Sequence, residues 1–293
     1  MNEIVTDQNQ ILKALSRFSF LQAKLNLLIE DIELATAGKT DWFTWAPMIA
    51  RKFWKQAVSL EILFTNETTL VTKTGEKMIV DLSSYYSLLR GMFEAYAVFC
   101  HLFKLEDDPN ENIIRFHLWQ LDGLSSRLGF KRDQPSSEVA ALIENDKEEI
   151  EKVKQHIVAF DLFKSLNPKQ QDYLLKRLAW KFSLDSLKRG KDKWQHTITE
   201  LIDRTKIKRY ILDDLYSYYS MHAHTGYINI IQNDDLPDSE KLMGKWVAIM
   251  NASFVTAFMI EDLSKMFKEG KNFFDSLAQE EREVITSFAK NKD

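Results

Sequence analysis

One cysteine, Cys100, stands in a chain of 293 residues, which excludes an internal disulfide and a cysteine-rich metal site. It lies inside an apolar run and reads as a small core residue. Such sparing cysteine use fits a reducing compartment, so a cytoplasmic location is expected. Glycine and proline are also scarce, at 9 and 5. Turn-dense β architectures need more of both, so the expected fold class is all-α. Long apolar runs are missing as well. The most apolar stretch, Ser87 to Phe103, is broken by Arg90 and Glu94, and no membrane span is expected. The opening residues Met1 to Gln8 lack the basic and apolar regions of a secretory leader, and none is expected.

Apolar residues make up 45% of the chain, enough for a sizeable core. The pattern predicts a multi-helix bundle of about nine helices. No linker rich in Pro, Gly or Ser divides it, so residues 1–293 read as one helical domain, with an N-terminal hairpin over 1–65 packing on the core. The first helix runs from a cap at Thr6 or Asp7 to about Ala37. Its apolar positions Ile11, Leu15, Phe18, Leu21, Leu25, Leu28 and Ile32 recur every three or four residues, and Gly38 closes it. Asp41 to Phe64 is a Trp-rich helix with Pro47 in its first turn. Thr65 to Lys77 has strand character and reads equally as a hairpin or an ordered loop. A central helix is expected over 78–105, followed by helices from Pro109, from Ser136 or Ser137 to Phe160, and from Pro168 to Phe182. The charged helix up to Phe160 is the candidate exposed arm or subunit contact. Ser183 to Lys193 reads as a basic loop and Trp194 to Arg204 as a short helix. Further helices are expected over Ile207–Ile231 and from Asp238 or Ser239 to Lys268, the latter ended by Gly270. A last one starts at Ser276.

Two of these helices carry a narrow polar stripe. At about 100° per residue, Ser83, Ser87, Arg90, Glu94 and His101 fall on one line of the central helix, and Leu, Phe, Tyr, Met and Val cover the rest. Asp213, Ser217, Ser220 and His224 form the second stripe. Charge in an apolar helix is costly, so Arg90 and Glu94 must be exposed along a seam, paired, or functional. Their one-turn spacing suits an ion pair. Such a pair either fixes the register of the helix or holds a guanidinium ready for an anion. The two stripes are expected to face each other, Arg90 and Glu94 meeting Ser220 and His224 in a cleft with His101 and Asp213 at its ends.

Ser220 and His224 invite a nucleophile-and-base reading, but Asp213 lies eleven residues from His224, about 16 Å along the axis, and cannot orient the ring. No Gly-x-Ser-x-Gly elbow is present. A serine hydrolase is therefore not expected, and His224 is either a network-bonded residue or an anion-binding or acid–base one. His222 points about 160° away from it, among Leu215 and Tyr218, and reads as a core histidine. A His-x-His metal pair needs both rings on one face, so no metal is expected.

Between Lys176 and Arg209 eleven Lys and Arg stand against four acids, a local charge of +7 on a chain of net charge −4. This segment is either a solvated face or a track for a phosphate backbone. It leads into the helix of Ser220 and His224. The candidate nucleic-acid contacts are Lys188, Arg189, Lys191, Lys193, Lys206, Lys208 and Arg209. Trp180 and Trp194 either stack on bases or pack.

Arg189 and His196 match the Arg-x(4–6)-His spacing of HEPN (higher eukaryotes and prokaryotes nucleotide-binding) ribonucleases, although Arg189 sits in a Gly-containing loop, not at the helix start of the family pattern. The blocks Leu88-Leu-Arg90-Gly-Met-Phe-Glu94-Ala and Tyr216-Ser-Tyr-Tyr-Ser220-Met-His-Ala-His224 together resemble a bacterial helical family of unknown function. That family has an Arg-x-x-x-Glu-Ala helix and a Tyr-x-x-x-Ser-x-x-x-His helix, and it looks like abortive-infection and HEPN-like proteins. The resemblance covers about 50 residues in two blocks, at Arg90, Glu94, Tyr216, Ser220 and His224. It implies an all-α, cytoplasmic, bacterial protein of the defence or toxin type, some members of which cleave RNA.

Three classes of function fit these residues. One is a metal-independent ribonuclease or nucleotide-modifying toxin working through Arg90, Glu94, Ser220 and His224, without a cofactor. The second is a non-catalytic helical module that binds a protein partner or itself. The third is a sensor of a small anion or nucleotide.

Overall fold

A computed structural model describes residues 8–39, 41–66, 68–72, 75–104, 109–130, 136–190, 193–205, 207, 215–223 and 236–290. The protein is an all-α multi-helix bundle, with thirteen α-helices among the described residues, ten of them of seven residues or more. It divides into two compact units, Met1–Phe99 with Ile202–Asp293, and Cys100–Leu201.

In the first unit, α1 (Gln8–Thr36) packs on α2 (Ala46–Thr65) and on α11 (Asp238–Met266). Its buried seam is Ile11, Ala14, Phe18, Leu21, Leu25, Leu28 and Ile32, so Ala14 takes the place expected for Leu15, which is half-buried. Each fully buried Leu or Ile contributes about 1.5–3 kcal/mol. Gly38 follows with φ +76°, the left-handed conformation that suits glycine after a helix. A 3₁₀ turn, Trp42–Trp45, precedes α2, its first turn closed by the Phe43 N–H on Asp41 at 3.4 Å.

The strand-like stretch is a hairpin, β1 (Thr68–Thr72) antiparallel to β2 (Gly75–Ile79), in register Thr68 to Ile79. The hairpin takes Met78 and Ile79 from the expected central helix. That helix, α3, spans Leu82–Phe103 instead. Asp81 starts it: its carboxylate accepts the Ser84 N–H at 3.0 Å and the Ser84 hydroxyl at 2.5 Å. Leu89, Met92, Phe93, Tyr96 and Phe99 bury most of its circumference.

The long helix α11 shares the centre. It is the described helix with the length and hydropathy to cross a membrane, and 67% of its apolar window is buried inside the protein. Several of its polar side chains are absorbed locally. Ser253 and Thr256 donate to Ile249 and Ala252 carbonyls at 2.8 and 2.7 Å, and Asp262 accepts from the Tyr96 hydroxyl at 2.7 Å. Gly270 does not end this helix. Phe267 breaks it with extended backbone, and Gly270 lies inside α12 (Lys268–Ser276), ahead of α13 (Gln279–Ala289). A Cβ at Gly270 would stand 2.5 Å from the Leu263 carbonyl oxygen, so the glycine permits close backbone approach of α12 to α11.

The second unit pairs α4 (Pro109–Leu128) with α5 (Ser137–Ala159), followed by α6 (Asp161–Lys164), α7 (Pro168–Arg177), α8 (Leu184–Lys188) and α9 (Ile198–Asp203), whose last residues belong to the first unit. Ile114, Leu118 and Leu121 of α4 meet Ile150, Val153 and Ile157 of α5, with Leu174, Phe182 and Leu187 completing the core. The charged helix α5 thus packs one face on α4, and its outer face carries one-turn pairs such as Glu144 with Lys147 and Glu151 with Lys154. Three expectations change here. The helix from Pro168 stops at Arg177, because Leu178 takes a left-handed conformation. The basic loop contains α8, capped by Ser183. Residues 194–196 are extended: Trp194 and Lys181 carbonyls accept the Ser183 and His196 N–H groups at 3.0 and 2.9 Å. The short helix starts after Thr197, whose hydroxyl accepts the Glu200 N–H at 3.2 Å while Glu200 accepts the Thr197 N–H at 2.6 Å.

Candidate functional site

Within the first unit, α3 meets α10 (Leu215–Ala223), the described part of the second striped helix. Arg90 Nε donates to Glu94 Oε1 at 2.9 Å, one turn apart on α3. The Tyr216 hydroxyl of α10 donates to the same carboxylate oxygen at 2.7 Å. The Arg90 guanidinium carbon lies 5.9 Å from the centre of the Tyr216 ring, a cation–π arrangement. The Arg90 and Glu94 side chains are 26% and 34% exposed, so the pair lies in a seam open to water. Pairing and partial exposure together remove the penalty of charge in an apolar helix.

The electrostatics follow from these contacts. The bond to Glu94 raises Arg90 above its ordinary value, and burial opposes the shift. Burial raises the Tyr216 hydroxyl, and its bond to Glu94 adds to the shift. Tyr216 therefore stays a neutral donor at physiological pH. Beneath it lies an aromatic floor. Tyr86 stacks on Tyr219 at 5.2 Å and Tyr219 on Phe93 at 6.1 Å, while the Tyr219 hydroxyl accepts from Asn251 at 2.7 Å. His222 is buried in this floor, 4.9 Å from Tyr86 and 4.4 Å from Tyr218 between ring centres.

Of the residues expected in the cleft, Arg90 and Glu94 come together, and the α10 residue that reaches them is Tyr216, not Ser220. Ser220 is half-buried one turn further along α10. His224 and Asp213 lie outside the described residues. His101 is engaged in the second unit: it is buried, its Nε2 lies 3.1 Å from the Trp180 carbonyl oxygen, and its ring stands edge-on to His196 at 6.0 Å. Tyr216 was readable only through the family-like motif, because a tyrosine on an apolar helix does not mark itself as polar.

The basic segment is partly neutralised. Arg189 pairs with Asp185 at 2.6 Å. Lys193 donates to both oxygens of Glu200 at 2.8 Å, and this pairing with the Thr197 contacts holds the Glu200 carboxyl down at about 2. Lys188 is exposed at the end of α8. Lys191, Lys206, Lys208 and Arg209 lie outside the described residues. The two tryptophans are held by the protein: Trp180 Nε1 donates to Asp122 at 3.1 Å, and Trp194 meets Tyr173 edge-on at 4.8 Å. Arg189 follows the end of α8, away from any helix start, and His196 lies in extended backbone.

Among the described residues no three His, Cys, Asp or Glu converge as a metal site requires. Comparisons with protein-family models, with curated proteins and with solved structures find no match.

Proposed function

We propose that the Arg90–Glu94–Tyr216 cluster is the phosphate-holding part of a metal-independent, HEPN-like ribonuclease site in a bacterial defence or toxin protein of the cytoplasm. The observation that carries this reading is the Tyr216–Glu94 bond, which joins the two family-like motifs across 122 residues of sequence. A guanidinium fixed by a carboxylate and backed by an aromatic ring is pre-oriented for a phosphate oxygen. In the proposed reaction the 2′-hydroxyl of RNA attacks the adjacent phosphorus and the bond to the 5′-oxygen breaks, leaving a 2′,3′-cyclic phosphate and a 5′-hydroxyl. Arg90 stabilises the charge that builds on the phosphoryl oxygens. His224 takes the 2′-proton or supplies one to the leaving oxygen. Ser220, four residues in sequence from each of Tyr216 and His224, is a hydrogen-bonding partner for the same phosphate. Lys188, Arg189, Lys191, Lys193, Lys206, Lys208 and Arg209 are candidate contacts for the phosphate backbone of RNA.

The test is incubation of the purified protein with end-labelled RNA in the presence of a chelator. Cleavage to cyclic-phosphate ends is expected, reduced by roughly 10²-fold or more in Arg90→Ala and His224→Ala. Absence of cleavage by a folded protein overturns the catalytic reading. A saturable, Arg90-dependent binding of nucleotide without turnover would then favour an anion sensor on the same cluster.

A further inference from the structure

A second cationic cleft lies in the first unit, on the face of α2 next to α1, with a volume of about 460 Å³. Arg51, Lys52, Lys55, Gln56 and Ser59 line it from α2, at the three- and four-residue spacing of one helix face, and Glu33 lines it from α1. Three cations against one carboxylate give it a charge of +2 on a chain of net charge −4. Its volume falls within the roughly 300–1,000 Å³ of small-molecule sites.

Arg51 is held in place. Its Nε and Nη2 donate to the two oxygens of Glu33 at 3.2 and 2.7 Å, Nη1 donates to Asn26, and the guanidinium carbon sits 5.2 Å from the Trp54 ring centre. Those bonds use three of its five N–H groups, which leaves one on each terminal nitrogen for a ligand. Lys52 and Lys55 are exposed, and none of the ion pairs among the described residues engages them. Gln56 Oε1 is buried and has no hydrogen-bond partner among the described residues. Its amide packs against Gly91 of α3, where a Cβ would stand 2.5 Å from Gln56 Nε2. The cleft therefore offers a fixed guanidinium and two ammonium groups.

From this donor set we infer that the cleft binds a small phosphate monoester, the chemistry of a sugar phosphate or nucleotide. Arg51, Lys52 and Lys55 take the phosphate oxygens. None of Arg90, Glu94 and Tyr216 lines the cleft, and the inference does not depend on the function proposed for them.

Calorimetric titration of the full chain with ribose 5-phosphate, inorganic phosphate and ribose tests the inference. Ribose 5-phosphate and inorganic phosphate are both expected to bind, and ribose not at all. Lys52→Glu with Lys55→Glu should weaken both phosphates by at least about tenfold, while Lys268→Glu with Lys271→Glu, a reversal elsewhere on the surface, should not. Circular dichroism checks that each variant is folded. No saturable binding at millimolar phosphate, or equal weakening by the control reversal, overturns the site.

Discussion

The Tyr216 hydroxyl and the Glu94 carboxylate meet at 2.7 Å, and the same Glu94 oxygen accepts from Arg90 at 2.9 Å. One acceptor thus holds a guanidinium from its own helix and a phenol from another. Tyr216→Phe removes the phenol bond and keeps the ring, so its expected cost is about 1–2 kcal/mol of unfolding free energy. Arg90→Ala and Tyr216→Phe touch the same group, and their double-mutant cycle should show a coupling above about 0.5 kcal/mol. Urea denaturation of the two single variants and the double variant measures it. Strict additivity would mean that the three groups do not act as a unit, and the phosphate-holding role would lose its support.

Arg90 and Glu94 were legible because charge interrupts an otherwise apolar period. Tyr216 was not, since its polar atom sits at the tip of an apolar ring and leaves no mark on the period. The helix class was equally plain from scarce Gly and Pro, and the seam of α1 from its three-and-four spacing. Boundaries were harder. Met78 and Ile79 continue the apolar pattern of α3 backward, so the end of the second strand was hidden in a run that suits either structure, although Asp81 is a good cap, as its bonds to Ser84 show. The Thr197–Glu200 capping box lay in the open and was masked by the apolar character of Trp194. Gly270 illustrates a deeper ambiguity: a helix-ending glycine and a close-packing glycine look alike until the partner backbone is placed.

The second unit contains a buried charge whose partner can be removed. The Arg115 side chain is 1% exposed, paired with Glu111 one turn earlier, and its guanidinium carbon lies 5.4 Å from the Phe182 ring centre. Glu111 also accepts the Leu184 N–H at 3.2 Å. Glu111→Ala strips the carboxylate from a buried guanidinium and an acceptor from a buried N–H. The expected loss is about 3–5 kcal/mol. Glu111→Gln keeps an oxygen acceptor and should lose less. Chemical denaturation followed by circular dichroism ranks the two, and a near-neutral Glu111→Ala would show that Arg115 is solvated in solution.

His117 of α4, which faces His156 of α5, gives the same unit a pH dependence. Their rings are 5.7 Å apart, and His117 Nδ1 lies 3.4 Å from Gln120 Oε1. Burial lowers His117 below its ordinary 6.5, the bond to Gln120 opposes that, and the neighbouring His156 adds to the lowering. The unfolded chain therefore binds the proton more readily than the folded one. Stability is full above about pH 6.5 and declines as the pH falls from there through the lower folded value. His117→Gln should flatten this part of the profile. Urea midpoints taken across that range test it, and an unchanged slope in the variant would assign the dependence to other groups.

Two glycines in helices should respond to alanine with opposite signs. Gly123 lies in α4, exposed, with nothing within 4 Å of where a Cβ would stand. There Gly→Ala reduces the freedom of the unfolded chain at no steric cost and should stabilise by about 0.5–1 kcal/mol. Gly270 lies in α12, and the same methyl group would stand 2.5 Å from Leu263 O and 2.9 Å from Ser264 Cα, both backbone atoms. Neither atom can move without shifting α12 away from α11. The propensity gain is then outweighed by overpacking, and a net loss of about 1–3 kcal/mol is expected. Thermal melts of the two variants under one buffer settle the signs. Stabilisation by Gly270→Ala would mean that α12 does not approach α11 as closely as the Leu263–Gly270 geometry requires.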